Sequence, residues 1–481
     1  MPLNLLNSRD NSTQWRRSCN REMAVFPRKT AIFPRKSPFF PRERAIFPLN
    51  RRLPAGPSAS SYRVFVMPSA ALRSRAAALL APLLLLLAAR PAPASRERPC
   101  ADDNGGLVLA EGLCAVLVAR DAGAVRQLAV GPDGALYAAL ARGGSGVLAL
   151  RDRDGDGKSE ERETFGPGGA NDVELHDGYL YLALSDRILR WKLAPGRLVP
   201  SGEPETVVAD LPNDGDHKAK SLAFGPGTTM FVSVGSATNS CQRMNRMAGS
   251  QGVDPCRELE RHAGIWVFDA ARQGQRFADG RRFATGLRNA SALTSESGTG
   301  ALWAAVQGRD QLGDNWGFSD QANAENPAEE LVRVEDGDDF GWPYCYYSVT
   351  YDKKVLAPEY GGDGRKVGRC AAAKNPVIAF PGHWAPLALA FHSGDGLGAT
   401  YGEGLFVAFH GSWNRAPMPQ AGYRVVFAPF AEGKATGKYV TVASGPNGTA
   451  LRASGLAVAA DGSLFLAADA NGKIWRISRK G

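Results

Sequence analysis

The chain has 481 residues, of which 44% are apolar, 9% aromatic and 22% charged, a profile that excludes a disordered chain or a coiled coil and supports a large buried core. Its 55 glycines exceed the usual share of roughly 7%, so many tight turns are expected and a mostly helical protein is not. The formal charge of +9 points to nucleic acid or an acidic membrane only until it is located: residues 1 to 94 hold 16 Lys and Arg against 3 Asp and Glu, leaving 41 against 45 for residues 95 to 481. No nucleic-acid partner is expected.

From Ala24 to Arg51 a heptad of letters recurs, AVFPRKT, AIFPRKS, PFFPRER and AIFPLNR, each with a proline that interrupts helix and sheet alike. Residues 1 to 66 read as repeat DNA translated from an early start, or as disordered leader, with a basic docking segment as the rival. Met67 offers a second start. After it come Arg73 and Arg75, an apolar run from Ala76 to Ala89, and Ala92-Pro93-Ala94, the pattern of a secretory signal over residues 67 to 94. The run is too short for a span of about 20 residues, so the exported protein is expected to begin near Ser95, free of a stable membrane span, in the periplasm or secreted. Six cysteines remain after the leader, Cys100, Cys114, Cys241, Cys256, Cys345 and Cys370. Outside the cytoplasm an even count favours disulfides, with sequential pairing the simplest arrangement and a zinc site, for which no CxxC speaks, the rival.

An apolar alternating stretch, a Gly/Asp-rich turn and a second apolar stretch recur from Leu128, Val173, Leu222, Leu293, Leu389 and Leu456. Period-two alternation across a DG turn signals a hairpin. The wide spacing suits blades rather than a compact solenoid. GVLALRD, RILRWKL, GIWVFDA, YRVVFAPF and KIWRIS read as following strands. The expected fold is all-β, a six-bladed β-propeller with four-stranded blades over residues 95 to 481.

The blades are packed by apolar residues, so polar residues flanking the inner hairpins are the informative ones. His217 lies in NDGDHKAKSLAF, just before an inner strand, where a neutral imidazole can take a proton from a hydroxyl; Lys218 and Lys220 beside it bind anions or are solvated. His176 and His392 fall within hairpins and read as structural. Arg288 and Asn289 precede another inner hairpin, placing a guanidinium to polarise a carbonyl or hold a carboxylate. VQGRDQLGD follows a second strand and offers carbonyls and acids to a hard cation.

The order of His217, GLRN at Arg288-Asn289, Gln307-Gly308, PAEELVRVEDGDDFGWPYCY, HWAPLALAF and HGSWNR resembles the soluble quinoprotein sugar dehydrogenases, with the sorbosone dehydrogenase-like proteins as the nearest subgroup. The resemblance spans Leu128 to Ile477. It implies a six-bladed propeller that binds pyrroloquinoline quinone (PQQ) and calcium over its channel, oxidises a sugar-like substrate and passes electrons to a respiratory acceptor. His217 matches the general base and Arg288 with Asn289 the pair near the quinone carbonyl. Gln307 matches a cofactor contact, and the main-chain oxygens of Gly308 and Arg309 match ligands of the cofactor-linked calcium, although Arg309 stands where the glucose enzymes have proline. Glu329 and Glu330 match structural calcium ligands. His383, His410, Arg415 and Arg452 fall at cofactor-contacting positions; the glucose enzymes present two arginines in the last blade where LRASGLAV offers Arg452 alone. Trp384 and Trp413 are candidates to flank a sugar ring, with blade packing the preferred role.

A separate signal is DRDGDGKSEERE, where Asp152, Asp154, Asp156, Gly157 and Glu163 satisfy a D-x-D-x-D-G-x5-E spacing for calcium, against the plain turn that such a hairpin also makes. Two rival functions remain: a calcium-dependent lactonase-type propeller, which needs acidic ligands converging in the channel, and a non-catalytic glycan- or protein-binding propeller.

Overall fold

The computed structural model describes residues 99–448 and 451–481; the FPRK repeats, the Met67 start, the signal segment and Ser95 lie outside the described residues. Each inner hairpin expected from the alternation is present. The turn of one shows the chemistry: Asp177 and Gly178 both take positive φ, 47° and 75°, the left-handed pair that a two-residue hairpin loop requires.

Six antiparallel four-strand blades result. Blade 1 is Val125–Val130, Leu136–Leu140, Ser145–Arg151 and Glu161–Pro167; blade 2 is Asp172–His176, Tyr179–Ala183, Ile188–Lys192 and Glu205–Ala209. Blade 3 is Leu222–Phe224, Thr229–Val234, Gly264–Asp269 and Arg281–Thr285; blade 4 is Ala290–Ser295, Leu302–Val306, Glu329–Val334 and Ile378–Phe380. Blade 5 is Pro386–His392, Gly404–Phe409, Arg424–Ala431 and Val440–Ser444, with Val108–Leu109 added at its outer edge. Blade 6 takes Ala453–Val458, Leu464–Ala468 and Lys473–Arg479 from the end of the chain and Leu113–Ala119 from before blade 1. That exchange pairs Leu113 with Arg479 through Ala119 with Ile474, closing the ring and leaving no exposed edge at the seam. The first strands of successive blades touch all the way round, enclosing the channel.

The core lies between blades, and period-two alternation builds it. In blade 4, Leu302, Ala304 and Val306 pack against blade 3 while Trp303 and Ala305 pack against blade 5. In blade 1, Leu136 and Ala138 face blade 6, and Tyr137 and Ala139 face blade 2. A one-residue slip would exchange the partners of a whole strand.

Blades 3 and 4 carry the insertions. Residues 235–263 lie between the second and third strands of blade 3; residues 307–328, with the short helices Leu312–Trp316 and Asp320–Glu325, occupy the same place in blade 4. A further segment, 335–377, holds the ribbon Cys345–Ser348 with Lys353–Leu356. The three sequential disulfides are formed, Cys100–Cys114, Cys241–Cys256 and Cys345–Cys370, with Cα separations of 5.5, 6.2 and 5.7 Å. Among the described residues no helix is long and apolar enough to cross a membrane.

Candidate active site

Chain direction decides which side chains meet. The first strand of a blade begins, and the second ends, at one mouth of the channel, so loops before the former and after the latter converge there. His217 arrives before blade 3, Arg288 and Asn289 before blade 4, His383 before blade 5 and Arg452 before blade 6; Gln307, Gly308 and Asp310 follow the second strand of blade 4, and His410 that of blade 5.

His217 Nδ1 lies 2.9 Å from the Ser236 carbonyl and 3.0 Å from Ser236 Oγ. A carbonyl only accepts, so Nδ1 carries the proton and Nε2 keeps its lone pair. Burial, reinforced by the Arg288 charge, pushes the imidazole down to about 3. Gly235 makes the close approach possible: a Cβ there would lie 2.5 Å from His217 Cβ and 3.0 Å from Asn289 Oδ1. Asn289 in turn donates to Gln307 Oε1 at 3.0 Å, and Gln307 donates to the Pro386 carbonyl at 3.0 Å.

Arg288 is buried and spends four of its five N–H donors. It donates to Asn239 O at 3.0 Å, Asn239 Oδ1 at 2.9 Å, Gly308 O at 2.7 Å and Asp310 Oδ2 at 3.1 Å. Asp310 is the hub. Its other partners are Arg246 at 3.1 Å and Asn414 at 2.8 Å, with His383 Nδ1 at 3.8 Å. Burial would raise this carboxyl, but Arg288, Arg246 and His383 hold it at about 2. Arg246 also binds Asp216, beside His217, at 2.9 Å. His383, at φ 66°, donates from Nε2 to Asn323 O at 2.7 Å.

Across the mouth His410 Nε2 donates to Asp469 at 2.8 Å, and Arg452 reaches His410 Nδ1 at 3.4 Å and Gly411 O at 3.3 Å with its guanidinium over the Tyr423 ring.

Several expected roles change. Both Glu330 oxygens accept from Lys354, at 2.8 and 2.7 Å in a buried pair, so a structural calcium finds a cation already in place. Arg415 is spent on the Ala324, Gly382 and Pro419 carbonyls and Glu325, which makes it a clamp on its loop rather than a free cofactor contact. Arg309 directs its side chain into a buried pair with Glu359 at 2.6 and 2.7 Å, while Gly308 O accepts from Arg288. Glu329 accepts from Gly308 N at 3.0 Å and Ala385 N at 3.1 Å, and burial pushes it up to about 7. In the blade 1 turn, Asp152, Asp154 and Asp156 gather with Glu160; Glu163 lies in the next strand, opposite Ala149, because the chain enters the strand before reaching the twelfth loop position. Lys220 is buried and donates to Lys218 O at 2.5 Å, with burial pushing it down to about 8. Trp384 packs against Phe409, whereas Trp413 is 70% exposed, contrary to a packing role.

Sequence reading missed Arg246, Asn239, Asn414 and Asp469 as site residues. The position just after a blade's second strand, which flagged Gln307, would have found Asp469; Asn414 stands inside the quoted HGSWNR string, and Arg246 and Asn239 sit in the blade 3 insertion without a repeat to mark them.

A curated pyrroloquinoline quinone-dependent pyranose dehydrogenase from Coprinopsis cinerea is 32% identical over 190 residues, 32% of this chain and 25% of that protein, so the match spans about a quarter of the relative. Among solved structures, that of the Trichoderma reesei carbohydrate-active enzyme family AA12 aligns with a TM-score of 0.65 at 20% identity, over 78% of this chain and 98% of the other. The holo PQQ domain of pyranose dehydrogenase from C. cinerea gives 0.64 at 21%, over 78% and 97%. These likenesses show the propeller fold. With the family's sequence pattern matched over residues 107–480, the chain belongs to the TrAA12-like family.

Proposed function

We propose that this protein is an exported, PQQ-dependent dehydrogenase acting on a pyranose-type or sugar-derived alcohol or aldehyde, with a sorbosone-like substrate as one member of that class. The observation that carries this reading is the pairing of a neutral imidazole, its Nε2 free, with the Arg288–Asn289–Gln307 wall around one channel mouth. When bound, PQQ would supply an electrophilic quinone carbonyl, the acceptor for a hydride (one proton and two electrons). His217 Nε2 takes the hydroxyl proton as the C–H bond breaks. Arg288, rigid in its hydrogen bonds, stabilises the oxygen charge that develops. A respiratory electron acceptor is the proposed partner.

Asn289, Gln307, His383, His410 and Arg452 are proposed to hold the cofactor. Calcium at the Gly308 and Arg309 carbonyls, with Glu329 nearby, would share Gly308 O with the Arg288 cation bound to it at 2.7 Å; calcium is therefore tested apart from PQQ. The three disulfides favour an oxidising compartment, periplasmic or extracellular. Among the described residues the acids that gather closely enough to share a metal lie in the blade 1 turn, outside the channel, and the group of Glu258 with Cys241 and Cys256 has its sulfurs in a disulfide, which counts against a lactonase-type calcium centre in the channel. Titration of the purified protein with PQQ, with and without calcium, followed by aldoses, tests the reading: saturable binding and sugar-dependent bleaching are expected, and absence of binding under both conditions overturns it.

A further inference from the structure

Charge is unevenly shared around the channel mouth. On the side of blades 3 and 4 the guanidiniums of the network are paired: Arg246 bridges Asp216 and Asp310, and Arg288 binds Asp310. On the side of blades 6 and 1, Arg126 and Arg142 act on one carboxylate, Asp469, which is held below its usual range against burial by His410 first and then by Arg126 and Arg142. Arg452 is engaged with His410 and Gly411. Arg126 and Arg142 are not: among the described residues neither guanidinium makes a hydrogen bond or an ion pair.

Arg126 is the second residue of the first strand of blade 1, where blade 4 has Ser291, and Arg142 lies two residues after the second strand, as Gly308 does in blade 4, so both stand at the mouth where the site wall forms. The field of Arg126 is felt from Asp469 on blade 6 and Asp172 on blade 2. Asp172 does not pair with it, because its oxygens accept from Val173 N, Leu222 N and Ser221 Oγ at 2.8, 2.7 and 3.0 Å. Arg126 is half-buried and burial disfavours its charge; with no protein acceptor among the described residues, its guanidinium is open to an anion that enters the channel. The guanidinium fork fits a carboxylate.

We propose that Arg126, supported by Arg142 at the rim, is a carboxylate-binding group that holds the anionic end of the cofactor against blade 1. This orients the quinone carbonyl toward His217 and Arg288 on the opposite side. The assignment rests on the quinoprotein reading and concerns residues which that reading does not use.

The test titrates PQQ and its trimethyl ester into wild type, Arg126→Gln, Arg126→Lys and Arg142→Gln, and records thermal unfolding with and without ligand. Arg126→Gln is expected to weaken PQQ by about 10- to 100-fold, the worth of a hydrogen bond to a charged group, and to leave binding of the ester nearly unchanged. Arg126→Lys should fall between. The ligand-free variant should melt no lower than wild type, since an unpaired cation has been removed. Equal PQQ affinity in wild type and Arg126→Gln overturns the assignment, as does a lower ligand-free melting temperature with acid and ester weakened alike, which marks a scaffold role. A raised KM for glucuronate at unchanged PQQ affinity gives the pair to a substrate carboxylate and also overturns it. Wild type that binds no PQQ brings down the quinoprotein reading itself, a failure visible before any variant is compared.

Discussion

One hydrogen bond decides what His217 can do. With its Nδ1 proton committed to Ser236 O, the ring presents a lone pair at Nε2, and His217→Ala should lower turnover by on the order of 10² to 10⁴ while PQQ still binds, as single-turnover reduction after a binding titration would show. The same burial has a signature in stability. The folded imidazole sits at about 3 against an ordinary 6.5, so between those values the unfolded chain binds more protons and stability is lost as pH falls from 6.5 toward 3. Glu329 works the other way: raised from 4.5 to about 7, it contributes stability below 4.5 that is lost as pH rises through about 7. In urea unfolding of the ligand-free protein across pH, His217→Gln should flatten the acid limb and Glu329→Gln the limb near neutrality; parallel shifts at all pH values would contradict both assignments.

At the scale of elements, the insertions of blades 3 and 4 are tied by Glu359. It is buried without exposure and accepts from Arg309, from Ser240 Oγ at 2.8 Å and from Trp316 Nε1 at 3.0 Å. Glu359→Ala leaves the Arg309 cation buried and unpaired and should cost about 3–5 kcal/mol, whereas Asp336→Ala, which breaks the exposed pair with Arg281, should change stability by less than about 1 kcal/mol. Chemical denaturation of both variants checks the contrast. The blade 1 turn is proposed to bind calcium through Asp152, Asp154, Asp156 and Glu160. Asp154→Ala should then lower the melting temperature only in calcium and leave the rate per folded site unchanged; identical melting of variant and wild type across a calcium titration removes the metal. The hairpins were legible because alternation reports directly on which face a residue buries. The third strand of blade 4, Glu329–Val334, was not, because its two leading acids mask the pattern: Glu329 is satisfied by main-chain N–H groups and Glu330 by Lys354, partners remote in sequence.

For the whole molecule, closure depends on Leu113–Ala119, which completes blade 6 although it precedes blade 1 in the chain. A chain beginning at Ser95 should fold, and one beginning after Ala119 should not, because Ile474, Trp475 and Ile477 would lose the strand that covers them; circular dichroism and exclusion chromatography of the two compare them. The ring itself could be read from six copies of one pattern. The seam could not, since a lone apolar stretch carries no mark of the strand it will meet more than 350 residues later. The site was half legible for a related reason: His217, Arg288, Gln307 and Asp310 stand close to the repeats, whereas Arg246 and Asn239 reach the site only through the folded blade 3 insertion. The most direct measurement of the central claim is single-turnover reduction of PQQ-loaded protein by an aldopyranose, followed by absorbance in wild type and His217→Ala. The expected result is stoichiometric bleaching in wild type that slows by at least about 10²-fold in the variant at equal PQQ occupancy; bleaching at the same rate in both would contradict it.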